Sequence, residues 1–588
     1  MPLNSLNSVI SGMRVAQRNL TVTGHNMSNV NTPGFSRQRV NQGDSFYRSL
    51  GPTASNRLEV GLGVDIINIQ QLRNQFLDQA FRHQIGRANY YSSMWNTSNQ
   101  IETVMREILP PGSGTSGTQA TRNIWNALQE LTTNPHALDH RVNFVNSART
   151  YLDRMTNTFN QLQQQQRLLN DQVKDTVARA NELISIINNM NREISRIELG
   201  GQSANDFRDM RELAMEELSS ILDINITFNR MGHAEISTNG ISLLSGNQIN
   251  YIGLRFTGHG TDFVEPVIGH NIGPNSGILA FDPTFRNATS ILRFDREPHS
   301  YERPGLLLGL VTSRGLGSAH HASQFTENPY ETDPNFAPLD AYALFQWQAR
   351  RDFNANIAII PRTMRHLDIS FNHMVTMINE FITNQNASTD RNTWGFWNDP
   401  TADPNDATVN MVTDPNRQQT GIPLFVTRDP NLIQNADSSQ NGFILNYTLG
   451  NVMINPDLLA PGGYAYLGFS RNSLDIDDTT VIQNLLAAWQ YNNVSIDGSL
   501  EMNVDNIWNH IITHLATETK ALSDASYNQD HRLRNLDTAR QASFGVSLDE
   551  ELSNMMRFQH SFNAAARLVN IIDSMIDTVV NRTGRVGM

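Results

Sequence analysis

The chain has 588 residues, no cysteine, a formal charge of −13 and a pI near 5.6. That length supports several domains around a large buried core. The acidic balance argues against nucleic acid as the main partner, and the absence of cysteine excludes disulfides, thiolate metal sites and cysteine nucleophiles.

No stretch reaches the roughly 18 apolar residues of a membrane span, so membrane insertion is not expected. Pro2, Asn4, Ser5 and Asn7 interrupt the basic-then-apolar pattern of a secretory leader. The protein therefore stays in the cytoplasm or leaves by a route that reads no cleaved signal.

Over the first forty residues Leu3, Leu6, Ile10, Met13, Leu20 and Met27 alternate at steps of three and four, with Gln17 and Gly24 in the intervening slots. This is the seam of a coiled coil, and such a narrow stripe needs a partner helix. The alternative is an ordinary amphipathic helix ending in a turn. The helix should stop near Asn29 to Asn31, because Asn competes for backbone hydrogen bonds and Pro33 disfavours helical geometry at Thr32. Pro33-Gly34 then makes a turn, with Phe35 as an anchor.

Val64 to Ile69 alternates like a short strand. Helical signal runs from about Gln70 to Leu109, closed by Pro110-Pro111-Gly112, and a short helix covers Ile124 to Leu131. From Val145 to Ile197 one unbroken three-four alternation predicts a helix roughly 80 Å long at about 1.5 Å per residue. The glutamine run at 163–166 is expected on its solvated face. Gly200-Gly201 stops it, and a second helix follows from Asn205 to Leu222, with Asp206 and Asp209 near its positive end.

Beyond Ile224 the period becomes two, and Asn239-Gly240 marks a hairpin. Helix returns at Gly305 to Arg314 and Ala341 to Thr383, with 315–340 as a loop insertion. Residues 384–473 are turn-rich, with short strands at 424–426 and 442–447. From Asp477 the chain is helical: one helix over Val504 to Asp537 and a last one over Leu548 to Arg582. The last carries a heptad seam of Leu552, Met555, Gln559, Phe562, Ala566, Val569, Asp573, Ile576 and Val580.

Residues 1 to 43 contain Arg14, Arg18, Arg37 and Arg39 and no acid, whereas the last helix holds Asp549, Glu550, Glu551, Asp573 and Asp577. Opposite charges beside complementary seams favour pairing of the two ends, within one chain or between neighbours.

A search for chemistry finds little. His136 and His140 lack a third ligand, His320-His321 has no companions, and the Asp-rich stretches at 399–406 and 475–478 lack a calcium loop's Gly and Glu. No cofactor, metal or catalytic residue is assigned.

The run HNMSNVNTPGFSRQRV resembles the N-terminal signature of the bacterial flagellar axial proteins, the rod, hook and hook-associated family. The match lies at Asn26, Asn29, Asn31, Thr32, Gly34 and Phe35, while His25 and Ser28 depart from it. WNALQELTTNPHALDHR, the long heptad helix and GQSANDFRDMRE resemble the helical domain of hook-associated members. The last helix resembles the C-terminal signature at Leu548, Glu550, Glu551, Phe558, Gln559 and Ala564 to Ala566.

The expected fold is multidomain α+β: terminal helices forming a coiled coil, an elongated helical bundle and inserted β-rich outer domains. The expected divisions are 1–65, 66–223, 224–304, 305–383, 384–476, 477–540 and 541–588. The resemblance implies a structural subunit of the hook–filament junction, exported to an external or periplasmic flagellum. It implies partners in further copies of itself in a ring, the hook protein, hook-associated protein 3 and an export chaperone on the C-terminal helix. Subunit packing would fall to Leu3, Leu6, Ile10, Met13, Leu20, Met27, Asn29, Asn31, Pro33, Gly34 and Phe35, and to the seam from Leu552 to Val580. Another axial type, or an inserted enzymatic or ligand-binding domain, is the alternative.

Overall fold

The structure is a computed structural model. It describes all residues except 1, 46, 50–58, 62, 106–115, 258–261, 270–271, 274–275, 281–287, 293, 295–304, 318–345, 347, 351, 384–421, 429–446, 470–478, 492–493, 496–500 and 579–588. The expected helix end at 106–109, the loop at 315–340 beyond Gly317, the strand at 442–446, Val580, His320-His321 and both Asp-rich stretches lie outside the described residues.

The chain divides into two compact units, with boundaries inside three helices: Met1–Asn89, Ala178–Tyr251 and Tyr527–Met588 form one, Tyr90–Val177 and Ile252–Ser526 the other. The first unit holds helix α1 (Pro2–Ser28) and strands β1 (Gln38–Asp44), β2 (Tyr47–Ser49), β3 (Glu59–Gly61) and β4 (Val64–Gln71). β1 pairs antiparallel with β4, and β2 with β3. Helix α2 (Gln75–Val104) begins in this unit, and α3 (Gly117–Thr133) belongs to the second. α3 is longer than periodicity predicts, because Ser116 caps it by accepting from Gln119 N–H at 3.1 Å.

Helix α4 (Leu138–Leu199) is a single run of 62 residues. Its three-four stripe is buried or half-buried throughout, from Val145 to Ile197. Gln166 departs from expectation: it is fully buried, and its Nε2 donates to the Arg314 carbonyl at 2.7 Å. It lies on the seam, so its amide N–H groups donate to the Arg314 and Gly317 carbonyls in place of water.

Helix α5 (Asn205–Ile221) follows, then the four-stranded meander β5 (Asn225–Phe228), β6 (Ala234–Thr238), β7 (Ile241–Ser245) and β8 (Gln248–Ile249). Asn239 and Gly240 take φ of 47° and 80° between β6 and β7, the positive values a two-residue hairpin turn demands.

The second unit continues with β9 (Gly253–Phe256), β10 (Val264–Gly269) and β11 (Ala288–Ser290), in the order β11-β10-β9. Helices α6 (Leu306–Arg314) and α7 (Ile359–Thr383) pack together. The helix predicted from Ala341 is broken before α7: a π turn covers Phe353–Ile357, and Ala358 is extended. Pro361 is the reason, since its ring clashes with the carbonyl four residues back.

Strands β12 (Phe425–Thr427) and β13 (Val452–Ile454), helices α8 (Pro456–Leu459) and α9 (Thr480–Tyr491) and the hairpin β14 (Val494–Ser495) with β15 (Glu501–Met502) complete this unit. Its core stacks Tyr151 on Phe371, with Phe425 edge-on beyond. Helix α10 (Val504–Phe544) ends in the first unit, which α11 (Leu548–Asp577) completes.

α7 buries one carboxyl with a pH signature. Asp368 is buried, accepts the Leu449 N–H at 2.8 Å, and is pushed up to about 7 by burial. The fold therefore prefers the protonated acid. Stability from this group is complete below the unfolded value near 3.8 and is lost as pH rises through about 7. Asp368→Asn keeps an acceptor for Leu449 and removes the charge. The variant should exceed wild type by roughly 2–4 kcal/mol at pH 8, with the gap closing towards pH 4. Parallel denaturant curves for both proteins at pH 5 and pH 8 check this, and a pH-independent gap would refute it.

Candidate assembly interface

The two ends of the chain meet. α1 packs along α11 on one side and against β1 and β4 on the other. The β side is anchored by the Val64 N–H, which donates to Ser11 Oγ at 3.1 Å. With cover from two directions, the inward stripe of α1 comprises Val9, Met13, Ala16, Leu20, Thr23 and Met27, buried or half-buried at steps of four and three. Leu6, Ile10, Met13, Leu20 and Met27 are all half-buried, Gln17 is exposed, and Leu3 lies in the first turn of α1.

α11 shows the same displacement. Its least exposed stripe is Glu551, Met555, Phe558, Phe562, Ala565, Val569, Ile572 and Ile576. Met555, Phe562, Val569 and Ile576 stand on it as the heptad reading places them. Leu552 and Gln559 are exposed, Ala566 is half-buried, and the residue before each takes the inner position. Both helices thus keep one column of the expected seam and exchange the other for its neighbour. Heptad spacing alone does not separate adjacent columns when both are apolar or small.

What sets the register is polar. Glu551 is buried and accepts from Asn26 Nδ2 at 3.1 Å and Arg37 Nε at 2.8 Å. Arg37 also pairs with Glu550 at 2.9 Å. Asn26 in turn pairs with the Gln38 backbone, accepting its N–H at 3.0 Å and donating to its carbonyl at 2.9 Å. One Asn side chain thereby joins the end of α1, the start of β1 and the start of α11.

The turn between α1 and β1 closes on itself. Thr32 N–H donates to the Asn29 carbonyl at 2.9 Å, Asn29 Nδ2 to the His25 carbonyl at 3.0 Å, and Phe35 packs edge-on against His25 at 5.4 Å. Gly34 has φ 77°, and a Cβ there would press on Leu213 of α5 at 3.4 Å. Gly34 and Phe35 are half-buried, while Asn31 and Pro33 are exposed.

α5 holds the next stretch of chain. Asp209 accepts the Ser36 N–H at 3.1 Å and its hydroxyl, and pairs with Arg73 at 3.2 Å. Gln38 donates to Asp206 at 2.9 Å, and Asn205 donates to the Ile69 carbonyl of β4 at 3.0 Å. Burial pushes Asp209 up to about 6, against the pull of Ser36 and Arg73.

Beside it Arg540 bridges Asp78 at 3.2 Å and Glu216, and Arg82 pairs with Glu212. Asp78, Glu212 and Glu216 converge closely enough to hold a metal ion. Arg540 and Arg82 already neutralise them, so the cluster is read as an ion-pair network.

Helix periodicity marks apolar stripes only, so it missed Asn26, Ser36, Arg37, Gln38, Asn205, Asp209 and Glu551. Their signal was the signature runs around Asn26 and Asn205, where short polar residues crowd a helix end.

On the outer side of α11, Leu548, Leu552, Met556, Leu568, Ile571 and Met575 are exposed large apolar residues. Six on one 30-residue helix is more than scattered surface hydrophobics; such a surface marks an interaction site.

In sequence the chain is similar to proteins of the bacterial flagellum. The family model for the flagellar hook-associated protein FlgK helical domain matches residues 99–275, and that for the flagellar basal body rod FlgEFG protein C-terminal region matches 542–582. Flagellar hook-associated protein 1 of Bacillus subtilis is 24% identical over 99% of this chain and 98% of its own. That of Escherichia coli is 22% identical over 98% and 99%. The flagellar hook protein FlgE of Treponema pallidum is 41% identical over 81 residues, 12% of this chain and 18% of its own. The likeness to flagellar hook-associated protein 1 runs along the whole length, and the helical-domain model covers all of α4 and α5.

Proposed function

We propose that the chain is a structural subunit of the bacterial flagellum, the hook–filament junction protein on which the filament is assembled. The single observation that carries this is end-to-end likeness to hook-associated protein 1 of two bacteria. The paired termini with an exposed apolar flank supply the physical counterpart: a helix pair stable enough to form, with surface left for neighbours.

In this reading α1 and α11 form a coiled coil that packs against further copies of the chain in a ring. Leu6, Ile10, Met13, Leu20, Met27, Met555, Phe562, Val569 and Ile576 make the pair. Leu552, Gln559 and Ala566 face neighbours, and the turn at Asn29, Asn31, Pro33, Gly34 and Phe35 braces the joint. The β-rich segments at 224–304 and 384–476 are outer domains on a helical rod at 66–223, 305–383 and 477–540, flanked by terminal segments 1–65 and 541–588. The hook protein and hook-associated protein 3 are its neighbours, and an export chaperone holds the C-terminal helix before secretion to an external or periplasmic flagellum. No catalytic role belongs to this reading. The C-terminal match is shared with rod and hook proteins; the helical-domain match favours the junction over those types.

Cells lacking the gene should carry hooks without filaments and release flagellin into the medium, seen by electron microscopy and immunoblot. Full filaments in the deletion strain would refute the proposal. Ser36 and Gln38 are buried, so truncation should stop at residue 28. A chain lacking residues 1–28 should be secreted, yet fail to restore swimming. Phe562→Asp with Val569→Asp should fail in the same way.

A further inference from the structure

We propose that the buried guanidinium of Arg314 binds a small monovalent inorganic anion of the halide class, with chloride as the ligand. The flagellar reading makes no use of this group. Arg314 is the last residue of α6 and is fully buried. Its Nε donates to the Gly315 carbonyl at 2.9 Å, and its Nη1 to Asn170 Oδ1 of α4 at 2.5 Å. Its Nη2 is buried as well and has no hydrogen-bond partner. A buried donor without an acceptor calls for an ordered water or an ion.

Charge decides between the two. Arg255, Arg314 and Arg350 are all buried, and Glu265 is the buried carboxylate whose charge reaches them. Arg255 holds Glu265 Oε1 and Arg350 holds Oε2. No described carboxylate pairs with Arg314, which feels Glu265 only through space. The Phe263 ring, 5.2 Å away, and the two oxygens already bonded to Arg314 supply partial charge only. Burial lowers Arg314 to about 9, so it still carries its proton at neutral pH. A buried ion without a counter-ion is costly. A bound anion cancels that charge, whereas water leaves it in place.

The guanidinium also selects among anions. Nε and Nη1 already hold other oxygens, which weakens the two-pronged grip that favours carboxylate and phosphate. The remaining nitrogen suits a single-atom anion, and a monovalent one loses less hydration on burial than a dianion.

The test is hydrogen–deuterium exchange over residues 306–317 of the full-length protein, with chloride titrated against gluconate at fixed ionic strength. In wild type, protection should rise about tenfold for each tenfold rise in chloride above its dissociation constant, because each opening releases one anion. Asn170→Asp keeps the acceptor for Arg314 and for the Val264 N–H at 3.0 Å, and sets a negative charge against the guanidinium. That variant should be protected already in gluconate, with no further gain from chloride. Wild-type protection that ignores chloride would overturn the site, and so would an equal chloride slope in Asn170→Asp. Ordered water, which would also serve the unpartnered Gln166 Oε1, predicts the first of those outcomes. The presence or absence of filaments in the deletion strain is independent of every one of these results.

Discussion

Glu551→Ala is expected to cost about 3 kcal/mol and to release the start of α11 from α1 and β1. The carboxylate is 2% exposed and holds both Asn26 and Arg37. Removing it takes the acceptor from one of the two N–H groups of the buried Asn26 amide and leaves the Arg37 guanidinium with only the exposed Glu550. Breaking a buried pair from one side costs about 3–5 kcal/mol, because the remaining charge is left uncompensated. Arg37 is partly solvated, which places the loss at the lower end.

The effect is also directional. Hydrogen exchange should accelerate at the end of α1, the start of β1 and the first turns of α11, while β5 to β8 remain protected. Glu551→Gln keeps the shape and one acceptor, and should fall between alanine and wild type. Unchanged exchange at Asn26 to Gln38 in the alanine variant would show that the apolar stripe alone holds the two ends. Asn26→Ala provides an independent check, since it removes the same link and both bonds to the Gln38 backbone.

Glu265→Gln should be at least as damaging in the other unit. Glu265 sits on β10, fully buried, and accepts Arg255 Nε of β9 at 2.8 Å and Arg350 at 2.6 Å. Arg255 also donates to the Ala288 carbonyl of β11 at 2.9 Å, so one carboxylate organises all three strands of the sheet. Arg350 lies over Phe294, and Arg314, fully buried, lies over Phe263.

Burial lowers Arg314 to about 9, and the charge on Glu265 opposes that fall. Glutamine preserves size but not charge, leaving buried guanidinium groups with no counter-charge from this position. The expected cost is about 3–5 kcal/mol. It should appear as a lower denaturant midpoint at unchanged slope. A midpoint within error of wild type would mean that this carboxylate is not the sheet's counter-charge.

Much of the helical frame was legible because it is local and periodic. The stripe from Val145 to Ile197 repeats without interruption, and any structure that buries it yields a single long helix. Asn239-Gly240 specified a hairpin for an equally local reason, since positive φ at two successive residues is cheap only for such pairs. The boundary at Pro361 was less legible. Apolar residues continue through it, and the missing N–H with the ring clash outweighs that pattern.

The meeting of the two ends was likewise determined by the chain alone, through two heptad runs and the opposite charges of Arg37 and Glu550-Glu551. Which columns of those heptads turn inward was decided only by tertiary structure. Adjacent columns lie side by side on a helix surface, and small residues such as Ala16 and Ala565 make either acceptable. The choice falls to groups remote in sequence: Asn26 with Glu551, Ser36 with Asp209, and the β1–β4 ribbon covering the second side of α1. A buried polar side chain needs a specific partner at hydrogen-bond distance, and partners hundreds of residues apart leave no periodic trace in the sequence.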